Sequence, residues 1–146
     1  MLKLCARISG GGLRMSEERT LRIVMAEDSA ADAELARYAL KRARIAAHVV
    51  LATTAADFRA ALLSVRPHVI ISDNSMPQFS GKDALALARA LAPDTPFIFL
   101  SGTLAPGYGS DEALSQANAC LDKSDLDRLG ALVKGLLVQP GAGPQP

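Results

Sequence analysis

Short, nearly unbroken apolar runs alternate along the chain with longer stretches of helical pattern. The first run, Leu21 to Ala26 (LRIVMA), reads as a buried strand and stops at Glu27-Asp28. Ser29 stands where an N-cap hydroxyl belongs, ahead of a helix through about Arg44. His48 to Ala52 (HVVLA) reads as a second strand, and Thr54 to Val65 as a second helix ended by Arg66-Pro67. His68 to Ser72 (HVIIS) is a third strand that again stops at an acid, Asp73. A loop, Asn74 to Gly81, leads to a helix from Lys82 to Leu91 that ends before Pro93. Phe97 to Leu100 (FIFL) is a fourth strand, ending in Ser101-Gly102. Pro106, Gly107 and Gly109 delay the start of a fourth helix to near Ser110. A short fifth strand, Ala119 to Asp122, precedes Lys123, and Ser124 is expected to cap a last helix to about Val138.

Five strands alternating with five helices, the strands apolar throughout, predict a parallel sheet covered on both faces: a three-layer α/β sandwich. One domain, residues 20–138, is expected to account for the pattern, and no output module is expected beside it. Residues 1–19 are expected to be a flexible extension, within which Met15 is an alternative start. Its Gly10-Gly11-Gly12 run is a linker, since no Gly-Lys-Ser/Thr follows to make a phosphate loop. Residues 139–146 (QPGAGPQP) are expected to be a disordered tail. With 21% charged residues and a net charge of +1, the chain has no electrostatic pull toward nucleic acid or an anionic membrane. No apolar run reaches the ~18–20 residues of a membrane span, and the start is too broken for a secretory signal. The two cysteines, Cys5 and Cys120, suggest neither a disulfide framework nor a zinc site, so a reducing cytoplasm is expected. His48 and His68 read as turn or packing residues.

The polar residues at strand ends change this bland picture. Glu27 and Asp28 end the first strand, Asp73 the third, Ser101 the fourth and Lys123 the fifth. In an open α/β sheet that edge binds ligands, so these residues converge on one crevice. Each has an ordinary reading alone: paired acids at a helix N-terminus, a turn aspartate, a surface lysine. Together they are the parts for phosphoryl transfer to a carboxylate. Three carboxylates crowd a site that a hard divalent ion, Mg²⁺ or Mn²⁺, would balance. Lys123 supplies an ammonium and Ser101 a hydroxyl for phosphoryl oxygens.

These residues, in this order and spacing, carry a resemblance. Glu27-Asp28, Asp73-Asn74-Ser75-Met76-Pro77 with Gly81 beyond, Ser101-Gly102 and Lys123 resemble the receiver domain of bacterial two-component response regulators, over about Thr20 to Val138. The resemblance implies a flavodoxin-like sheet in order 2-1-3-4-5. It implies that Asp73 is the phosphoacceptor, served by a histidine kinase or a histidine phosphotransfer protein. It implies Mg²⁺ (or Mn²⁺) held by Asp28, Asp73 and the backbone carbonyl of Ser75, with Glu27 assisting through water. Ser101 and Lys123 would contact the phosphoryl group, while Ser75, Thr103 and Cys120 would tune it. The chain is then expected to be a stand-alone cytoplasmic receiver rather than an enzyme. A downstream protein would dock on the face of the fourth helix, fifth strand and fifth helix.

Two departures from the family stand out. Ser124 replaces the proline that usually follows the lysine, so a trans peptide is expected there. Cys120 replaces the aromatic residue three positions earlier, which favours an alternative: a pseudo-receiver that only binds proteins. Leu126, Leu129, Leu132, Val133, Leu136 and Leu137 form a broad stripe on the last helix, a candidate partner or homodimer surface, while Gly130 and Gly135 soften that helix.

Overall fold

The computed structural model describes residues 20–74, 76–102 and 116–138. The elements are β1 (Leu21–Ala26), α1 (Ala30–Arg42), β2 (Ala47–Ala52), α2 (Ala55–Val65), β3 (Val69–Asp73), α3 (Gly81–Leu91), β4 (Phe97–Ser101), β5 (Ala119–Asp122), a 3-10 turn (Lys123–Arg128) and α4 (Leu129–Val138). The five strands form one parallel sheet in the order β2-β1-β3-β4-β5, as expected. Four α-helices are present among the described residues rather than five. The expected fourth helix, starting near Ser110, begins among residues outside them, where the N-terminal extension and the tail also lie.

Helix starts follow a repeated local device. Ser29, Thr54 and Ser80 each accept a hydrogen bond from the backbone N–H of an aspartate three residues on: Asp32, Asp57 and Asp83. Each cap satisfies an otherwise orphaned donor and contributes about 1 kcal/mol. The carboxylates in the same first turns meet the positive end of the helix dipole. At the other end of α2, the Arg22 guanidinium donates to the carbonyls of Val65 and Arg66, capping that helix from β1. The last helix corrects the sequence reading. Asp122, not Ser124, is the cap, accepting from Ser124 N–H. The chain then makes a 3-10 turn with a kink at Asp125 (φ −110°, ψ 29°) before α4 begins at Leu129. No described peptide bond is cis, so the link from Lys123 to Ser124 is trans.

Alternation along the strands divides the core in two. Ile23, Met25, Val69, Ile71, Ile98 and Leu100 join α1 and α4 on one face. Val24, Ala26, Ile70, Phe97 and Phe99 join α2 and α3 on the other. All four phenylalanines lie in the second layer: Phe97 and Phe99 meet edge-on at 4.9 Å, and Phe58 and Phe79 are tilted at 5.3 Å. The Leu-rich stripe, which runs through the 3-10 turn and α4, is mostly core. Leu129 and Val133 are fully buried, and Leu126, Leu132, Leu136 and Leu137 pack partly buried against the same cluster.

Candidate phosphoacceptor and metal site

Ala26 of β1 and Ser72 of β3 are register partners, so the residues after them emerge side by side at the carboxyl edge of the sheet. That edge is also the switch point: from β1 the chain winds one way to β2, and from β3 the other way to β4. Glu27, Asp28 and Asp73 therefore converge, each offering a carboxylate oxygen within 4.8 Å of the others. Glu27 and Asp73 are buried, and Asp28 is exposed at the mouth. Glu27 Oε2 accepts from the backbone N–H of Ser29 at 3.1 Å, which fixes it ahead of α1.

Lys123 arrives from the far end of the sheet. It follows β5, and its Nζ lies 2.6 Å from Asp32 Oδ2, 3.2 Å from Glu27 Oε1 and 3.4 Å from Asp73 Oδ2. Ser101, fully buried, ends β4 one residue beyond Leu100, the register partner of Asp73. Five of the residues named from sequence thus gather at one edge: Glu27, Asp28, Asp73, Ser101 and Lys123. Ser75 and Thr103 lie outside the described residues. Cys120 is exposed on β5, the register partner of Phe99.

The electrostatics are those of an incompletely balanced acidic pocket. Burial pushes the Glu27 carboxyl up to about 7, and the charge of Asp73 adds to the rise; the Ser29 N–H and Lys123 only partly offset it. Burial also opposes the charge on Lys123. The hydrogen bond to Asp32 and the charges of Asp73 and Glu27 outweigh that cost and hold its pKa above the ordinary lysine value. The donor set is all carboxylate, with no nitrogen or sulfur, which suits a hard cation such as Mg²⁺ or Mn²⁺. A buried carboxyl displaced to near neutrality is also what a divalent charge would relieve.

A protein-family model describing the response regulator receiver domain matches residues 23–134. The chain belongs to that family. The receiver fold is seen in solved structures as well, each under a quarter identical in sequence. The chain is similar to the response regulator domain of Thermotoga maritima CheB (22% identity, 80% of this chain and 95% of that one, TM-score 0.66). It is also similar to the Mn²⁺-bound form of response regulator Rcp1 (19%, 85% and 99%, 0.63). A third similar structure is the phosphorylated cyanobacterial phytochrome response regulator RcpA (22%, 81% and 91%, 0.62). No curated protein matches the chain. Among the described residues no helix of this receiver is long and apolar enough to cross a membrane.

Sequence reasoning missed two elements of the site and its frame. Asp32 looked like any first-turn helix acid, yet it makes the shortest contact to Lys123. Asn118 pins the start of β5 to β4: its Oδ1 accepts from Phe97 N–H at 2.9 Å and from Arg89 at 3.0 Å, while its own N–H donates to Phe97 O. The Ser-x-x-Asp spacing was readable, but a partner 91 residues away was not.

Proposed function

We propose that this receiver accepts a phosphoryl group on Asp73. The observation that supports the reading best is the placement of Asp73: buried at the end of a central strand, with Glu27 and Asp28 beside it and Lys123 Nζ 3.4 Å away. A carboxylate oxygen of Asp73 attacks phosphorus, and the bond from phosphorus to a donor histidine nitrogen breaks. The electron pair leaves on that nitrogen, and the product is an acyl phosphate on Asp73. Glu27, Asp28 and Asp73, with the Ser75 backbone carbonyl, would hold Mg²⁺ or Mn²⁺, which when bound neutralises charge on the transferred oxygens. Lys123 and Ser101 meet the phosphoryl oxygens. Asp73 is consumed and regenerated as a reactant, so the chain is a phosphoacceptor rather than a turnover enzyme. The donor is a histidine kinase or phosphotransfer protein in the cytoplasm. The output is protein contact through the face that includes β5 and α4.

The test is intact mass after incubation with Mg²⁺ and acetyl phosphate, on wild type and Asp73→Asn. A metal-dependent gain of one phosphoryl mass on wild type alone is expected. No adduct on wild type would overturn the reading in favour of a protein-binding pseudo-receiver, which the exposed Cys120 in place of an aromatic side chain favours.

A further inference from the structure

Three helices of this chain begin with the same Ser/Thr-x-x-Asp device, and two of the three aspartates, Asp57 and Asp83, are exposed. The third, Asp32, reaches across the sheet edge to Lys123. Its contact, 2.6 Å, is shorter than those of Glu27 (3.2 Å) and Asp73 (3.4 Å). Asp32 is not one of the three carboxylates whose oxygens cluster within 4.8 Å. Its side chain is 37% exposed, against 2% for Glu27 and 6% for Asp73. The ammonium therefore sits outward, against the wetter acid.

We propose that Asp32 is a positioning residue that tethers Lys123 at the rim of the acidic pocket and so keeps the ammonium out of the space a divalent cation needs. The backbone of Asp32 is fixed by its N–H bond to Ser29 Oγ, so the carboxylate projects from a rigid first turn. Lys123 follows β5 directly and comes from the opposite side of the site. With Asp32 in place, the ammonium has a partner beyond Glu27 and Asp73 and lies at the mouth, where a phosphoryl oxygen would arrive. Without it, Lys123 retains only Glu27 and Asp73, settles between them and competes with the metal. The inference rests on the metal and phosphoacceptor reading above, and it assigns Asp32 a role toward that same site.

The experiment is Mn²⁺ binding to the full chain, followed by electron paramagnetic resonance, in wild type, Asp32→Asn, Lys123→Met and the double variant. Asp32→Asn should weaken Mn²⁺ binding about tenfold in the wild-type background and by no more than about threefold in the Lys123→Met background. Lys123→Met alone should tighten it. Equal weakening in both backgrounds would overturn the proposal, because a mere loss of negative field does not need the lysine. Unchanged affinity in Asp32→Asn would also overturn it, as would a wild type that binds no Mn²⁺. Asp32→Ala supplies the same cycle if the amide folds poorly. A wild type that binds Mn²⁺ but forms no acetyl phosphate adduct overturns the phosphoacceptor reading alone, and the cycle still decides the role of Asp32.

Discussion

Ionised Glu27 should make the metal-free protein lose stability as the pH rises through neutrality. The folded state holds the Glu27 proton to about 7, against an ordinary value of 4.5, with burial the main cause. Folding therefore favours the protonated form. The stabilisation is whole below pH 4.5 and is lost as the pH climbs through about 7. That interval corresponds to about 3 kcal/mol, a large part of the ~5–15 kcal/mol of an ordinary domain. Glu27→Gln mimics the neutral acid and keeps an oxygen for the Ser29 N–H. Urea denaturation in a metal chelator, at steps from pH 5 to pH 8, should show the wild-type midpoint falling relative to Glu27→Gln by about 1–3 M. Groups elsewhere in the chain act in both proteins and cancel in the difference. Excess Mg²⁺ should flatten the wild-type curve, since a bound cation favours the ionised carboxylate. Parallel wild-type and Glu27→Gln curves in chelator, or a wild type that gains stability relative to the variant as pH rises, would refute the reasoning.

Further outcomes follow from the space around three glycines and from the hydrogen bonds of Asn118. A Cβ on Gly81 would stand 2.6 Å from Cε1 of the fully buried Phe99 and 3.0 Å from the Asn74 Cα, so Gly81→Ala should cost about 1–3 kcal/mol by urea titration, where an unhindered helix start would gain from alanine. A Cβ on Gly130 would lie 2.1 Å from Ala43 Cβ, whereas Gly135 has open space around it; Gly130→Ala should destabilise and be rescued by Ala43→Gly, while Gly135→Ala should raise stability by up to about 1 kcal/mol. Asn118→Ala strips the acceptor from the Phe97 N–H and from Arg89, and a loss of about 1–3 kcal/mol is expected in thermal or urea unfolding.

The architecture was legible because its signals are local. Each strand is a short apolar run, each helix α1–α3 opens with a hydroxyl cap, and the polar residues that matter sit at strand ends. What escaped depends on pairing over distance or on a weak local choice. Asp32 and Asp57 are indistinguishable in sequence, since both are the fourth residue of a Ser/Thr-Ala-Ala-Asp run; only the tertiary fold brings Lys123 to the first of them. The start of the last helix was misread for a different reason. Asp122 and Ser124 are both good caps two residues apart, and Leu126 is the lone apolar residue from Lys123 to Arg128. The chain resolves the competition with a 3-10 turn capped by Asp122, and the apolar α4 begins only at Leu129.

The same packing bears on how an event at Asp73 would be felt elsewhere. Asn74, the next residue, donates its N–H to Leu100 O, and its Cα lies 3.0 Å from the place a Cβ on Gly81 would take. Phe99 closes the other side of Gly81 and stacks edge-on with Phe97, whose N–H is held by Asn118 at the start of β5. The backbone just past Asp73 is thus wedged against β4, and β4 is clamped to β5. A shift of Asn74 has little room to dissipate locally, because buried aromatic rings at native density do not yield by tenths of an ångström without cost. Spatial continuity alone is not coupling. It becomes coupling if Gly81→Ala, folded well below its unfolding midpoint, alters the amide resonances of Asn118 and Leu121 as well as those next to Asp73. Changes confined to residues 72–85 would mean that the wedge supports the loop and carries nothing further.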